Sequence, residues 1–339
     1  MFMKIGINGF GRVGRQVYKA LAEYYPQFEV AQINDIADAK TLAHLFKYDS
    51  TYGPYSSEVD TKEHAIIINK KEIKVTHETD LKALSWEKDI QLVIESTGKF
   101  NDRDQASNHL KSNVEHVLIT APSKNADLMV VLGVNDNALD PRAHQVISNA
   151  SCTTNSLAPA VKLLHKHFNL LKGFMTTVHA YTADQRILDL PHKDLRRARA
   201  AAVNIIPTST GAADAVGIVM PELKGLLTGI SLRVPVAAVS VTDFVCSVEK
   251  NTSSEEVNQV FAEASRGSMK GILGFTMDPL VSTDFIRSPY SGAIDGSSTN
   301  VLDQNFVKIL SWYDNEWGYS CRVADLAYLI HQKKNGGKL

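Results

Sequence analysis

Ile5-Gly6-Ile7-Asn8-Gly9-Phe10-Gly11-Arg12-Val13-Gly14 is a short apolar run followed by glycines at the spacing G-x-G-x-x-G. Beyond the glycines, Val13, Val17 and Leu21 recur at helical spacing, and a second apolar run over 30–33 ends in Asn34-Asp35. A carboxylate therefore stands 21 positions after Gly14. Strand, glycine turn, helix and acid-terminated strand make a βαβ unit of the kind that binds a dinucleotide. The first glycine permits the tight turn, the second lets backbone approach the pyrophosphate, and the third brings helix close to strand. Gly9, Arg12 and Val13 are expected to line the pyrophosphate turn, and Asp35 to accept hydrogen bonds from the adenine ribose. A carboxylate there repels the extra phosphate of NADP, so NAD is the expected cofactor.

Outward from this unit the alternation continues. Apolar strands are predicted over 92–94, 117–119 and 129–132, with helices over 39–46 and 104–110. A hairpin-like segment over 66–75 interrupts them, giving a mostly parallel sheet with antiparallel decoration. Near residue 150 the character changes. Longer strands over 174–178, 230–234, 239–248 and 307–312 predict a second domain with an antiparallel sheet faced by helices. The segment 180–206 is long and rich in Arg, Asp and Pro, which marks a functional or interfacial loop. The last helix, from about Gly318, carries Val323, Leu326, Ala327 and Ile330 on one stripe and is expected to return to the first domain.

Composition sets bounds on function. A chain of 339 residues exceeds the size at which one core usually stops growing, so two domains are expected. A formal net charge of −1 provides no global field for nucleic acid or an anionic membrane. The one basic cluster, Lys193, Arg196, Arg197 and Arg199, is interleaved with Asp189 and Asp194, which suits a local anion site or a subunit contact. Cys152, Cys246 and Cys321 are widely spaced and odd in number, so neither a disulfide framework nor a zinc site is predicted. No signal-peptide pattern or apolar run of transmembrane length is present, and a reducing cytoplasmic location is the expectation.

The chemistry is carried by Ser148-Asn149-Ala150-Ser151-Cys152-Thr153-Thr154-Asn155 and by His179, 27 residues after the cysteine. The run 146–148 reads as a strand, and Leu157, Val161 and Leu164 as one helical face. Cys152 then sits where a strand hands over to a helix, and unpaired amides there favour a thiolate. A neighbouring imidazole is expected to lower the thiol pKa further. Pro159 lies inside this helix, so either the helix bends or it begins later than Ser151. Arg233 falls amid apolar residues, an expensive place unless it faces an anion or a carboxylate. Thr208-Ser209-Thr210-Gly211 precedes a helix over 212–218, where hydroxyls and amides either bind an anion or simply cap.

The cysteine octapeptide and the His179 segment resemble those of the phosphorylating glyceraldehyde-3-phosphate dehydrogenases, and the resemblance runs nearly end to end. It takes in 8–14, Asp189-Leu190-Pro191-His192-Lys193-Asp194-Leu195-Arg196-Arg197-Ala198-Arg199, 221–225 and Trp312-Tyr313-Asp314-Asn315-Glu316-Trp317-Gly318-Tyr319. It implies an α/β chain with a Rossmann-type dinucleotide-binding domain over 1–150, completed by a C-terminal helix over 318–339. A second α+β catalytic domain on a mostly antiparallel sheet would cover 151–317. The implied activity is glycolytic: NAD-dependent oxidation of D-glyceraldehyde 3-phosphate with capture by inorganic phosphate, through a thiohemiacetal and a thioester on Cys152. His179 would be the base.

By the same resemblance Arg233 serves both phosphates, Thr182 and Arg197 hold the substrate phosphate, and Ser151, Thr210 and Gly211 surround the attacking phosphate, with Thr153 beside the nucleophile. Thr97 and Thr120 match ribose and nicotinamide-side positions, Asn315 would orient the carboxamide, and Leu190-Pro191 matches the NAD-type members. The family implies a homotetramer in which the 180–206 loop meets a neighbouring subunit. Departures are Thr79 in place of a basic residue near the adenine, Ser156 in place of a second cysteine, Tyr52 in place of a histidine, and the segment 297–301. Erythrose-4-phosphate dehydrogenase is the nearest alternative. Asp35 and Tyr181-Thr182-Ala183-Asp184-Gln185 favour the glyceraldehyde substrate.

Overall fold

The structure, a computed structural model, describes residues 3–336. Residues 1–2 of the expected first domain and 337–339 of the expected terminal helix lie outside the described residues. The chain divides into two compact units. One comprises Met1–Val130, Asn137–Ala150 and Ser320–Leu339, the other Val131–Asp136 and Ser151–Tyr319.

In the first unit the order is β1 (Lys4–Asn8), α1 (Arg12–Tyr24), β2 (Glu29–Asn34), α2 (Ala39–Lys47), β3 (Val59–Lys62), β4 (Ala65–Ile68), β5 (Lys71–Thr76), β6 (Ile90–Glu95), α3 (Arg103–Ala106), β7 (His116–Ile119), β8 (Leu128–Met129) and β9 (Val146–Ser148). Among the described residues these strands form one sheet in the order β3-β4-β5-β2-β1-β6-β7-β9-β8. From β5 to β8 every pairing is parallel, and β3-β4-β5 is antiparallel. The central strands are near-continuous apolar runs because a parallel sheet is covered on both faces. Ile5, Ile7, Ile33 and Ile94 are fully buried. The strand order reverses direction between β1 and β6, the switch point outside whose carboxyl ends ligands bind.

Two glycines build that point. Gly9 has φ +88°, and a Cβ on it would stand 2.7 Å from the Thr97 amide nitrogen. A Cβ on Gly14 would stand 2.1 Å from Gly9 O, so α1 can approach β1 only without a side chain there. Two expected elements come out shorter. The strand over 129–132 ends at Met129, since Asn135 and Asp136 side chains accept from the amides of Val131 and Gly133. The segment Val131–Asp136 joins the second unit, where Lys162 Nζ donates to the carbonyls of Gly133 and Val134 at 2.7 and 2.9 Å. The helix over 104–110 becomes α3 and a 3-10 turn, Ser107–His109, with Ser107 and Asn108 donating back to the Asp104 carbonyl.

The second unit runs α4 (Cys152–Phe168), β10 (Leu170–Ala180), β11 (Ile206–Thr208), α5 (Ala212–Val219), β12 (Leu227–Val234), β13 (Ser240–Val248), α6 (Ser254–Arg266), β14 (Leu273–Thr276), β15 (Gly292–Asp295), β16 (Asn300–Leu302) and β17 (Phe306–Tyr313). Its sheet order is β11-β12-β10-β13-β17-β15-β14, with β16 beside β17. Pairings are antiparallel except β10 with β12 and β14 with β15, so the sheet is mostly antiparallel as expected. Helix α4 begins at Cys152 with Ser151 as N-cap and continues through Pro159 without the hydrogen bond that residue cannot donate. The start is therefore where the sequence places it. Pro159 is buried, and the helix is held by its apolar face, Leu157, Val161 and Leu164.

The last helix, α7 (Trp317–Lys334), has its stripe Val323, Leu326, Ala327 and Ile330 fully buried. Its residues from Ser320 belong to the first unit, where Tyr25 stacks on Tyr328 and donates to Asp325 at 2.6 Å. Gly14→Ala should lower the unfolding free energy by about 1–3 kcal/mol, the cost of forcing a methyl into a filled contact, despite the better helix propensity of alanine. A denaturant midpoint no lower than that of the parent would contradict this account of α1.

Candidate active site

Cys152 is the first residue of α4. The turn before it is set by Ala150, whose φ of +55° lies in the left-handed region at a cost of roughly 1–2 kcal/mol for an L residue. The Ser151 hydroxyl accepts from the Thr154 amide at 3.0 Å, and the chain then enters the helix with the thiol at its N-terminus. His179 arrives from the penultimate position of β10, and its Nε2 stands 3.5 Å from Cys152 Sγ. Its Nδ1 lies 2.7 Å from the Ala180 carbonyl, which can only accept. With its proton on Nδ1, donated to that carbonyl, the ring turns the Nε2 lone pair to the thiol.

Register brings the third group in. In the parallel pairing of β10 with β12, His179 lies opposite Arg233, and in the antiparallel pairing of β11 with β12, Ile206 also lies opposite Arg233. Arg233 Nη1 is 3.0 Å from His179 Nδ1, donates to the Ala180 carbonyl at 3.2 Å and to Thr182 Oγ1 at 3.1 Å. Its Nε is buried and donates to no acceptor among the described residues. A buried donor on a cation asks for an anion.

These neighbours set the protonation states. Burial, and after it the Arg233 charge, push the His179 pKa down to about 3. His179 is thus a neutral base at physiological pH. The sequence expectation that it lowers the thiol pKa is corrected, because an imidazole held neutral brings no positive charge to the sulfur. Burial is also the largest influence on Cys152 and raises its pKa, while Arg233, the Thr153 hydroxyl and the amides of Thr153 and Cys152 act the other way. Cys152 as a residue keeps intermediate exposure. Cys246, by contrast, is enclosed and pushed up to about 12.

The remaining predicted phosphate residues fall into two groups. Thr182 donates to Asp184, Arg197 pairs with the same carboxylate, and Arg197 Nε donates to Thr208 Oγ1 at 2.9 Å. Burial would raise the Asp184 pKa, but the Thr182 hydroxyl and the charges of Arg233 and Arg197 hold it below the usual carboxylate range. Thr182, Arg197 and Arg233 thus share one ionic cluster. Thr210 and Gly211 lie at the start of α5, directly after the strand that flanks Arg233. Thr210 Oγ1 accepts from the Ala212 amide at 3.2 Å, a local turn bond just ahead of the helix, whose N-cap is Gly211. Thr153 Oγ1 is bound to the Tyr313 hydroxyl at 2.8 Å, and Tyr313 to Thr177 at the same distance.

The first unit offers a cleft of about 210 Å³ at the carboxyl ends of β1, β2 and β6, lined in part by Gly9, Asp35, Thr79 and Thr97. Helix α1 begins there with no side-chain cap and no acidic residue in its first turn, which leaves its amides suited to an anion. Asp35 accepts from the amides of Phe10 at 2.6 Å and Ala37 at 3.0 Å. The guanidinium of Arg12 turns to Asp49 at 2.9 Å. Val13, Arg12 and Thr120 are not among the cleft walls, and Thr120 donates to the Glu95 carbonyl from the end of β7. Asn315 belongs to the second unit, where its Oδ1 accepts from Ser240 at 3.0 Å.

Sequence reasoning missed Tyr313, Ser240, Asp184 and Glu95. Tyr313 and Glu95 are each buried at the end of a strand, where a polar side chain signals a satisfied network. Among the described residues no group of His, Cys, Asp and Glu could hold a metal ion.

Comparison with known proteins agrees with this geometry. Residues 3–103 match the family described as glyceraldehyde 3-phosphate dehydrogenase, NAD binding domain, and 151–315 the corresponding C-terminal domain. The chain is 54% identical to the glyceraldehyde-3-phosphate dehydrogenase of Geobacillus stearothermophilus over 98% of its own length and 99% of that protein's. It is 52% identical to that of Borreliella burgdorferi over 96% and 98% of the two chains. With both family descriptions matched and identity sustained across nearly the whole length, the chain belongs to the glyceraldehyde-3-phosphate dehydrogenase family.

Proposed function

We propose that this chain is an NAD-dependent, phosphorylating glyceraldehyde-3-phosphate dehydrogenase of glycolysis. The observation that carries the reading is a thiol at a helix N-terminus, 3.5 Å from the lone pair of a neutral imidazole that is itself flanked by a partly buried guanidinium. Cys152, acting on the aldehyde carbon, passes its proton through His179 Nε2 to the new hydroxyl, giving a thiohemiacetal. NAD, when bound, supplies the hydride acceptor. His179 takes the hydroxyl proton as hydride leaves, and a thioester remains on Cys152. Inorganic phosphate attacks the thioester carbon, the acyl phosphate departs, and the imidazolium returns its proton to the sulfur.

Arg233 explains why the base waits for substrate. Its charge disfavours an imidazolium, and a phosphate dianion seated on it would offset that charge and let His179 accept a proton. We assign the substrate phosphate to Arg233, Thr182 and Arg197, and the attacking phosphate to Arg233, Ser151, Thr153, Thr210 and Gly211. The cofactor residues are Gly9, Arg12, Val13, Asp35, Thr97, Thr120 and Asn315. The left-handed Gly9, the uncapped start of α1 and the Asp35 carboxylate suit NAD. In this reading 1–150 with 318–339 is the NAD-binding domain and 151–317 the catalytic domain.

A homotetramer is the proposed assembly. Between β10 and β11 the chain exposes Ile187 (83%), Leu188 (70%), Leu195 (81%) and Val203 (76%), apolar surface of the kind that marks an interface. No helix among the described residues is long and apolar enough to cross a membrane. We place the protein in the cytoplasm, with no nucleic acid as a primary partner.

NADH formation from glyceraldehyde 3-phosphate should require inorganic phosphate and should fall at least about 10⁴-fold in Cys152→Ser. Turnover indifferent to phosphate, or a preference for erythrose 4-phosphate, would replace the reading. Sedimentation velocity should show a tetramer, and an Ile187→Asp, Leu195→Asp double variant should shift the distribution toward smaller species; a monomeric parent rejects the assembly. Stability offers a third check. Because His179 is depressed from its ordinary 6.5 to about 3, the unfolded chain binds a proton between those values that the folded chain does not. That contribution is complete above about pH 6.5 and is lost as pH falls toward 3. The stability lost between pH 7 and pH 4 should therefore be smaller in His179→Gln than in the parent, by denaturant titration at each pH; equal losses would mean that His179 is not depressed.

A further inference from the structure

Beneath the cleft of the first unit lies a buried carboxylate. Glu95, at the end of β6, has no exposed side-chain surface. Its Oε2 accepts from Asn8 Nδ2 at 2.6 Å and lies 3.0 Å from His109 Nε2. Its Oε1 accepts from the Thr97 amide at 2.9 Å and from the Thr97 hydroxyl at 2.5 Å.

The polarity of these bonds is forced from their far ends. The Glu78 amide can only donate, and it donates to Asn34 Oδ1 at 2.9 Å, which fixes that carboxamide. Asn34 Nδ2 then donates to Asn8 Oδ1 at 2.8 Å, which in turn aims Asn8 Nδ2 at Glu95. On the other side the Trp86 indole can only donate, and it lies 3.2 Å from His109 Nδ1. His109 therefore presents Nε2–H to Glu95. The Thr97 amide is likewise a donor. Three neighbours point donors at one site, and an acceptor-only carboxylate satisfies them all. Glutamine would turn an N–H₂ toward one of them.

What this network holds is the floor of the cleft. Asn8, Asn34, Glu78 and Thr97 line it, and Thr97 presses on the Gly9 turn so closely that a Cβ there would meet its nitrogen. Resting on the reading of this cleft as the NAD site, we propose that Glu95 is a positioning residue for the cofactor. Its carboxylate, aligned by His109 and Trp86, locks Thr97 and the Asn8-Gly9 turn in the geometry that receives the dinucleotide.

The test is Glu95→Gln in the full chain, with NAD affinity measured by calorimetry and KM for NAD, KM for the aldehyde and kcat by steady-state kinetics. The variant should keep a cooperative thermal transition, bind NAD on the order of tenfold more weakly, from one mismatched buried donor, and leave kcat and the aldehyde KM near the parent values. A folded variant with parental NAD affinity, or one in which all three constants worsen together, overturns the proposal. Glu95→Asp, which keeps the charge but draws it back from its donors, should also weaken NAD. If neither variant folds, hydrogen exchange in the parent serves instead. NAD should slow the Thr97 and Glu78 amides together, and slowing of neither overturns the proposal. A parent that does not bind NAD removes the reading of the cleft itself, a result distinct from the loss of Glu95's role.

Discussion

The guanidinium of Arg233 is the constraint on which the catalytic unit depends. It sits on β12, opposite His179 on the neighbouring strand, lies 3.0 Å from His179 Nδ1, and donates to the Ala180 carbonyl and Thr182. Burial first, and then the neighbouring cation, keep that imidazole neutral, and a neutral imidazole is a base. The same charge opposes the burial that raises the Cys152 pKa and, after the Thr182 hydroxyl, helps hold Asp184 below the usual carboxylate range. Thiol, imidazole and the cluster of Thr182, Asp184 and Arg197 are therefore one electrostatic system.

The nucleotide-binding unit depends on closeness of backbone instead. Gly9 and Gly14 let a helix, a turn and two strand ends converge within distances that any Cβ would violate. Such convergence buries polar groups, and the Asn34, Asn8, Glu95 and His109 chain satisfies them with donation converging on Glu95 from both sides. Asp35 has a related double use. In the structure it holds the Phe10 and Ala37 amides, and a ribose would meet a carboxylate already fixed in place.

Much of this was legible in the chain. The parallel first sheet, the mostly antiparallel second sheet, the helix that begins near Cys152 and the returning terminal helix follow from periodicity, whereas α6, β14, β15 and β16 were not read from it. Where the prediction ran long, at 129–132 and 104–110, polar side chains captured the backbone that a strand or helix would have used. The thiol's environment was read only half correctly. A helix start does favour a thiolate, but the histidine that was to assist it is held neutral by burial and by an arginine 54 positions away in sequence.

The sequence by itself determined the glycine turn, the acid that closes the βαβ unit and the placement of Cys152 at a helix start. Each depends on local backbone geometry within a few residues. Tertiary structure alone decided that Arg233 faces His179, that Tyr313 joins Thr153 to Thr177, and that Glu95 gathers donors from Asn8, Thr97 and His109. Those contacts depend on strand register, and a slip of one residue would turn each side chain to the opposite face of its sheet.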